Sequence, residues 1–351
     1  MKIRFYLNFD EDFRNSMNNY GLDHIKNLKK NKNLKVSFFK PVVPRYLFFL
    51  PYEWRMRVAR YFFYSLQIKF LPKVDIAHVV DHQYAHIVKN INAEKKIITV
   101  HDLQPLVLEK YYNRNPLLFK YSMKHLNLFD KIITISNKSK SDILKYTKAK
   151  EKNIKVLYQP SQKEFKIINF DKKYILKYIK KKKSIKIVTF ASAKYKNFDT
   201  SLKVFTKLNK NFPNSYILNF GKTSNNLTNN IKNKVIELPF MSRKNQNNIY
   251  RSADLMLFPS FFEGYGLPCV EAMNSNLPVI SSNIPSIREI MGNAGIYCKP
   301  FNINCYLKKI TNLIKNKKFY LKKKQQLKIR KKIFDEKKYY KDLLIVYDKR
   351  S

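Results

Sequence analysis

Two glutamates, Glu263 and Glu271, flank a short segment whose residue types suit a site for an anionic, hydroxyl-bearing ligand. Gly264 and Gly266 stand on either side of a tyrosine, so the backbone between the acids can turn tightly and approach a ligand. Carboxylates accept hydrogen bonds from ligand hydroxyl groups well. Seven residues separate the two acids, which predicts that they contact different parts of one ligand.

A helix is predicted to begin directly after this turn, because Pro268 suits the first helical position. Its free N–H groups, with those of Gly266 and Leu267, would attract an anion such as a diphosphate. The structural alternative is that Glu271 only complements the helix dipole and that the glycines only turn the chain. We favour the functional interpretation, because the whole segment follows the predicted strand Asp254–Phe258 as one strand–turn–helix unit.

Short apolar runs alternate with longer amphipathic stretches, which predicts strands alternating with helices. One helical stretch, Asp199–Asn211, places Leu202, Phe205 and Leu208 on one face. Such alternation is typical of parallel sheets with right-handed crossovers, which bind ligands at the carboxyl ends of their strands. The predicted strands are Lys2–Leu7, Leu34–Phe39, Asp75–Val80, Lys96–Val100, Lys131–Ile135, Ser184–Phe190, Tyr216–Phe220, Lys234–Leu238, Asp254–Phe258 and Pro278–Ser281.

Two such series lie on either side of Gln162–Lys183, a charged and weakly patterned stretch. The sequence therefore predicts an α/β fold of two doubly wound, Rossmann-like domains that face each other. We place the first domain over residues 1–165 and the second over 166–320. Residues 321–351 are predicted to form a long C-terminal helix that can cross back to the first domain, since their apolar positions have helical spacing.

The composition is that of a globular protein with an extreme positive charge: 44% of the residues are hydrophobic, and the formal net charge is +45. Lysines are spread along the chain and no nucleic-acid-binding motif occurs, so we expect no specific nucleic-acid partner. The charge favours contact with acidic lipid headgroups, although a compositional bias of the whole sequence also explains it.

The three cysteines are odd in number and lack metal-ligand spacing, which favours a reduced, cytoplasmic compartment. The N-terminus has no long apolar region typical of a signal peptide. No apolar run approaches the roughly 20 residues that cross a membrane.

The stretch Pro259–Pro300 resembles the donor-binding signature of retaining GT-B glycosyltransferases of family 4, the glycosyl transferases group 1. Asn276 stands where that family usually has glycine, and asparagine also tolerates a left-handed helix cap. The resemblance implies a GT-B fold, with an acceptor-side first domain and a donor-binding second domain across a cleft. It also implies a hexosyltransferase that moves a sugar, with retention, from a nucleotide-diphosphate sugar to a saccharide or lipid-linked saccharide in surface polysaccharide assembly.

The resemblance assigns roles to the residues of the turn. Glu271 would bind the ribose hydroxyls of the nucleotide, and Glu263, as a catalytic residue, would contact the transferred sugar. Gly264, Gly266 and Leu267 would bind the donor through the backbone.

Two further candidates follow other predicted strands. Lys196 matches a lysine that neutralises the diphosphate leaving group in similar enzymes; their usual upstream arginine is absent here, and Lys194 is its potential substitute. His101 matches a histidine near the sugar, and we expect it to orient donor or acceptor. Without the resemblance, a structural bond between His101 and Asp102 would explain that pair.

We expect neither a metal nor another cofactor. The Asp-x-Asp motif of metal-dependent sugar transferases is absent. Lys196 and a helix N-terminus can supply the positive charge at the leaving diphosphate instead.

Three weaker motifs belong to the first half of the chain. Ser136 is predicted to be a helix N-cap with a structural role. Residues 18–21 could supply the family's glycine loop, although its usual paired glycine is missing. His82 and His86 are equally explained as acceptor-side residues or as packing residues.

The segment Pro41–Pro72 mixes aromatic residues with arginines and is too interrupted to span a bilayer. Two interpretations explain it equally: an interfacial segment on an anionic membrane, or an aromatic helix packed inside the first domain. The first would place the protein at the periphery of the inner membrane face and favour a lipid-linked acceptor.

Two alternative functions remain at the level of sequence. One is another nucleotide-sugar enzyme on the same fold, such as an epimerase or a phosphorylase, although no second phosphate site or pyridoxal phosphate site is evident. The other is a basic nucleic-acid-binding protein. The sequence does not identify the base, which we expect to meet the backbone of the loop Pro239–Ser242.

Overall fold

The computed structural model describes residues 1–112, 116–161, 163–166, 169–181, 183–223, 227 and 229–348. The chain divides into two compact units. The first unit consists of Met1–Tyr158 together with the stretch that begins at Glu336, and the second consists of Gln159–Asp335.

The first unit is built on a parallel sheet of six strands in the order β2-β1-β3-β4-β5-β6. Neighbouring strands pair in register, so that Phe5 of β1 lies between Phe38 of β2 and His78 of β3. The strands of this sheet are β1 (Lys2–Tyr6), β2 (Lys35–Phe39), β3 (Val74–Val79), β4 (Ala93–Val100), β5 (Lys131–Thr134) and β6 (Ile154–Val156).

The second unit repeats this architecture with a parallel sheet in the order β12-β11-β10-β7-β8-β9. All four residues of the central strand β10 are buried, as expected for a parallel strand that helices cover on both faces. The strands are β7 (Ile185–Phe190), β8 (Ser215–Phe220), β9 (Val235–Leu238), β10 (Leu255–Phe258), β11 (Val279–Ser282) and β12 (Ile296–Cys298).

Helices connect the strands of each sheet. A five-residue π-helix, Ala59–Phe63, lies between α2 and α3. The α-helices are α1 (Asn15–Leu28), α2 (Tyr52–Val58), α3 (Tyr64–Ile68), α4 (Gln104–Val107), α5 (Glu109–Tyr112), α6 (Leu117–Met123), α7 (Asn137–Tyr146), α8 (Phe198–Asn211), α9 (Asn229–Lys232), α10 (Arg243–Ser252), α11 (Leu267–Asn274), α12 (Pro285–Met291), α13 (Ile303–Lys315), α14 (Lys317–Arg330) and α15 (Glu336–Tyr347).

All ten predicted strands are confirmed, and so is the expectation of two parallel α/β sheets. Two further strands, β6 and β12, were not predicted. Each has three residues and lies at the edge of its sheet. Such short edge strands have too few apolar residues to produce a recognisable pattern.

The expectation of one long C-terminal helix is wrong, because α14 ends at Arg330 and α15 begins at Glu336. Helix α15 packs on the first unit and buries Leu343 and Tyr347 in a core that includes residues of β1. Polar contacts reinforce this packing, since the Tyr347 hydroxyl lies 2.6 Å from His78 Nδ1.

The expectation of reduced cysteines is wrong for Cys298 and Cys305, which form a disulfide between β12 and α13. Their Cα atoms lie 5.8 Å apart because the chain turns back from the strand into the helix. Cys269 is a buried thiol of α11, and burial raises its pKa. The close approach of one pair out of three cysteines depends on a turn that cysteine spacing alone does not reveal.

No helix among the described ranges of the chain is long and apolar enough to cross a membrane.

Candidate functional site

The turn between β10 and α11 has a conformation that requires glycine. Gly266 adopts a φ of +93°, in the left-handed region, and it precedes the first residue of the helix. A Cβ atom at this position would lie 2.4 Å from Ile287 Cδ1. The bare backbone of Gly266 therefore allows the turn to pack against α12 while the amino end of α11 stays at the carboxyl edge of the sheet.

Glu271 lies in α11 and its carboxylate is buried between two polar side chains of α10. Arg243 Nη1 lies 3.3 Å from Glu271 Oε1, and the Tyr250 hydroxyl lies 3.3 Å from Oε2. Burial raises the pKa of Glu271 to about 7, against the opposing effects of Arg243, Tyr250 and Lys196. The carboxyl group is therefore poised to change its charge when a ligand brings new hydrogen-bond donors.

Glu263 and Lys196 form a direct ion pair, with Lys196 Nζ 2.8 Å from Glu263 Oε1. Only 10% of the lysine side chain and 8% of the glutamate side chain are exposed. The ammonium group also lies 5.0 Å from the centre of the Phe258 ring and 5.2 Å from that of Tyr195. The lysine is thus held among aromatic rings with the glutamate carboxylate as its charged partner.

Asn197 fixes the position of this lysine. Its backbone adopts φ +57°, and its side-chain nitrogen donates to the carbonyls of Pro259 and Pro300, each at 3.0 Å. These carbonyls follow β10 and β12, so one amide joins the carboxyl ends of three strands. Lys194, the potential substitute for the family's arginine, is exposed in the turn just before.

A cavity of about 510 Å³ opens at the carboxyl ends of β7, β8 and β9. Phe190 and Phe220 stack in its lining with ring centres 5.4 Å apart. Residues Pro239, Phe240 and Met241 of the loop that we expect to meet a base also line it. Such a pocket offers flat aromatic surface to a ring of similar size.

Glu237 adds a carboxylate to this cavity. It accepts hydrogen bonds from the backbone N–H and the hydroxyl of Thr223, and the hydroxyl contact is the largest cause that lowers its pKa.

Arg243 and Tyr250 are the two site residues that the sequence analysis missed. They stand seven residues apart in α10, so they lie on the same helical face and both reach Glu271. Their helix follows the loop Pro239–Ser242 directly, and Ser242 caps it by accepting from Asn245 N. The seven-residue spacing of Arg243 and Tyr250, which places them on one helical face, was therefore a signal in the sequence that could have identified them as site residues.

His101 lies at the carboxyl end of β4 in the first unit. Its Nε2 donates to the carbonyl of Val80 at 3.0 Å, which leaves Nδ1 as the ring's acceptor. Burial lowers the pKa of His101, so the ring is neutral near pH 7. The Tyr20 ring packs edge-on against it at 4.9 Å between ring centres. The described contacts therefore hold the imidazole in one orientation.

Asp102 does not act as a partner for the His101 ring in the described contacts. Its Oδ1 accepts from Gln104 N at 3.0 Å and so supports the turn that leads into α4. The structural alternative of a hydrogen-bonded His101–Asp102 pair is therefore wrong.

A second polar cluster surrounds His101 at the same sheet edge. Arg14 and Asn8 both donate to the buried carboxylate of Asp81. Burial alone would raise the pKa of Asp81, but the positive charge of Arg14 holds it below its usual range. The His82 ring centre lies 6.4 Å from that of His101, and burial lowers the pKa of His82 to about 4.

The remaining first-unit motifs have structural roles. Ser136 caps α7 by accepting from Ser139 N at 3.0 Å, as predicted. Both ring nitrogens of His86 are occupied, by Ser122 Oγ and the Arg60 carbonyl, which identifies it as a packing residue. Residues 18–21 lie inside helix α1, so their suggested role as a glycine loop is wrong.

Within the described parts of the chain, no three His, Cys, Asp or Glu side chains group in a way that could hold a metal ion.

Comparison with known proteins shows the fold and a match of part of the chain to one family model. Residues 171–333 match the family model described as glycosyl transferases group 1. An O-antigen chain mannosyltransferase of Salmonella typhimurium is 30% identical over 62% of this chain and 60% of its own length. An O-antigen chain mannosyltransferase of Escherichia coli is 41% identical over 16% of this chain and 15% of its own. This chain thus spans less than two thirds of these relatives.

Solved structures with low identity share the two-unit architecture. Sucrose-phosphate synthase from Thermosynechococcus elongatus aligns with a TM-score of 0.75 at 13% identity, over 99% of this chain and 98% of its own. A glycosyltransferase involved in lipopolysaccharide biosynthesis aligns with a TM-score of 0.71 at 12% identity, over 94% and 95% of the two chains. An Anabaena protein solved with UDP-glucose aligns with a TM-score of 0.72 at 12% identity, over 98% of this chain and 100% of its own. The fold is the GT-B fold.

Proposed function

We propose that this chain, whose residues 171–333 match the family model of the glycosyl transferases group 1, transfers a hexose from a nucleotide-diphosphate sugar to a saccharide acceptor. The observation that carries the proposal is the convergence of Lys196, Glu263 and Glu271 around the glycine turn at the carboxyl edge of the second sheet. This edge is where parallel sheets bind nucleotides.

Each part of the donor has a partner of suitable chemistry at this edge. The ribose hydroxyls would donate to Glu271, and the aromatic cavity beside Phe190 and Phe220 would receive the base. The diphosphate would lie at the amino end of α11 and attract Lys196 away from Glu263. Glu263, released from the lysine, would then accept from a hydroxyl of the transferred sugar.

The transfer itself would proceed with retention at the anomeric carbon. The bond from that carbon to the diphosphate oxygen breaks, the acceptor hydroxyl oxygen bonds to the carbon on the same face, and the hydroxyl proton passes to the departing diphosphate. Lys196 and the helix N-terminus stabilise the charge that develops on this leaving group. His101 would orient a substrate, because the contact of its Nε2 with the Val80 carbonyl holds the ring in one orientation.

The acceptor class follows from the relatives rather than from the site. The Salmonella and Escherichia coli relatives are O-antigen chain mannosyltransferases by name. A Staphylococcus aureus neighbour was solved with UDP and a glycerol-linked sugar, which extends the class of ligand that this fold binds. We therefore propose a saccharide or lipid-linked saccharide acceptor in surface polysaccharide assembly.

A thermal-shift panel of nucleotide diphosphates and their sugars tests the donor site on the whole chain. At least one nucleotide should raise the melting temperature by about 5 °C at a concentration near 100 times its Kd. Glu271→Gln should remove most of this stabilisation, whereas the exposed second-unit control Asp199→Asn should keep it. If no nucleotide stabilises the wild type, the proposed donor site is refuted.

A transfer assay then tests the reaction. The nucleotide sugar that stabilises the protein should be consumed faster when saccharide acceptors are present than in water alone. The anomeric configuration of the product, read by NMR coupling constants, tests retention, and an inverted product would contradict that part of the proposal.

A further inference from the structure

An exposed group of large aromatic side chains lies on the first unit, far along the chain from the donor-binding residues. Phe49 is 80% exposed, Trp54 60%, Phe62 61% and Phe70 82%. Folding normally buries such rings, because each carries a large apolar surface. Several of them on one short stretch therefore indicate a surface that meets a partner. We name residues 42–70 the aromatic surface segment.

The segment is firmly anchored on its other side. Met56, Ala59, Tyr64 and Ile68 are buried in the core of the first unit. Trp54 lies in α2 and Phe62 in the π-helix, whereas Phe49 and Phe70 lie in turns on either side of the helices. Packing in the core therefore explains the buried side chains of this segment but not its exposed rings.

Positive charge accompanies the exposed rings. From Lys40 to Lys73, both included, the chain has seven basic residues and one acidic residue, Glu53. The guanidinium of Arg55 lies 4.4 Å from the centre of the Phe48 ring, and that of Arg57 lies 5.3 Å from the Trp54 ring. Aromatic rings beside arginines combine apolar contact with attraction to anionic groups.

We propose that the aromatic surface segment binds the headgroup region of an anionic lipid bilayer. Amphipathic rings such as tryptophan and tyrosine suit the boundary between headgroups and acyl chains, and adjacent arginines attract acidic lipids. The net charge of +45 adds long-range attraction to such a surface but gives no orientation by itself. The aromatic rings decide which face of the first unit meets the lipid.

The chain provides its own reporter, because Trp54 is its one tryptophan and lies in this segment. Mixing the full chain with phosphatidylcholine–phosphatidylglycerol vesicles should shift the tryptophan emission to shorter wavelength. Brominated acyl chains should quench it. Vesicles of phosphatidylcholine alone should produce a much smaller change, because they lack the anionic headgroups.

Variants can distinguish lipid binding by the aromatic surface segment from lipid binding by the general positive charge of the protein. Phe49→Ser with Phe62→Ser should weaken flotation with anionic vesicles about tenfold or more, and Arg55→Gln with Arg57→Gln should do the same. The matched controls, Ile329→Ser with Ile345→Ser and Lys337→Gln with Lys341→Gln, alter exposed residues elsewhere and should float like the wild type.

Three results would overturn the proposal. One is the absence of flotation with anionic vesicles. Another is flotation with unchanged Trp54 emission, which would mean that lysines elsewhere bind the lipid. The third is concentration-dependent self-association that Phe49→Ser with Phe62→Ser abolishes, which would identify a second copy as the occupant. Because the readout is vesicle binding, the result is independent of the proposed sugar transfer.

Discussion

Lys196 Nζ lies 2.8 Å from Glu263 Oε1, and both side chains are almost fully buried at the carboxyl edge of the second sheet. The two residues are 67 positions apart in the sequence and follow different strands, β7 and β10. A buried ion pair contributes little net stability, because removing both charges from water costs about as much as their attraction returns. In the proposed function its presence at this edge has a reason, because the donor diphosphate would replace the carboxylate as the partner of Lys196.

Lys196→Met should lower both the stability and the activity. It leaves Glu263 buried without its lysine, which costs about 3–5 kcal/mol of unfolding free energy. The double variant Lys196→Met with Glu263→Gln should recover most of that stability and none of the transfer activity. Urea unfolding and a transfer assay measure the two effects. Full transfer by the single variant would contradict the role of Lys196 at the leaving group.

The raised pKa of Glu271 predicts a pH dependence of stability with a definite sign. Its pKa is about 7 in the folded chain and near the ordinary 4.5 when unfolded, so the folded state binds more protons between these values. The wild type should therefore lose stability as pH rises from about 4.5 to 7, by roughly 3 kcal/mol from this group. The difference in unfolding free energy between wild type and Glu271→Gln, taken at pH 5 and pH 8, isolates the effect. A difference that does not change with pH would show that Glu271 titrates normally.

The affinity for a nucleotide should also depend on the titration of Glu271, but it should rise with pH where the stability falls. In the proposed donor site, ribose hydroxyls would donate to the ionised carboxylate, so binding would lower the pKa of Glu271 and favour the charged form. Affinity for a nucleotide diphosphate should therefore rise as pH increases from 5.5 to 7.5, by up to about tenfold. Calorimetric titration in buffers of different ionisation enthalpy would detect the accompanying proton release. Glu271→Gln should show neither the pH slope of the wild type nor its proton release.

Gly266→Ala should destabilise the turn for two separable reasons. The alanine would have to adopt φ +93°, and its Cβ would collide with Ile287 Cδ1. The backbone conformation alone costs about 1–3 kcal/mol. Adding Ile287→Val shortens the opposing side chain, so the double variant should recover part of the loss seen in thermal unfolding, while the backbone part remains. An unaffected single variant would mean that the turn is not constrained in this way.

His101→Ala should lower the transfer rate about 100-fold, because a substrate that is no longer oriented spends less time in the reactive geometry. Stabilisation by the nucleotide diphosphate alone should not change, since His101 belongs to the first unit and the proposed nucleotide contacts belong to the second. His86→Ala is the matched control, a buried histidine of the same unit with both ring nitrogens occupied. Equal transfer rates in the two variants would assign His101 a structural role.

Several parts of this protein could be predicted from local sequence. Short apolar runs such as Leu255–Phe258 predicted the strands, since a parallel strand covered on both faces needs continuous apolar residues. The turn at Gly266 and the cap at Ser136 were equally predictable, because their chemistry acts over three or four residues. The three-residue edge strands and the break between α14 and α15 were missed, because such short segments contain too few residues to produce a recognisable pattern.

The sequence by itself determined the strand–helix alternation, the glycine turn and the identity of the acids on either side of it, because each depends on neighbouring residues. Only the tertiary structure decided that Lys196 pairs with Glu263, that Arg243 and Tyr250 enclose Glu271, and that Cys298 bonds to Cys305. These partners come from different elements of the second unit, and their distances follow from sheet order and helix packing. Burial of the Glu271 carboxyl, and with it the raised pKa, exists only once that packing has removed water.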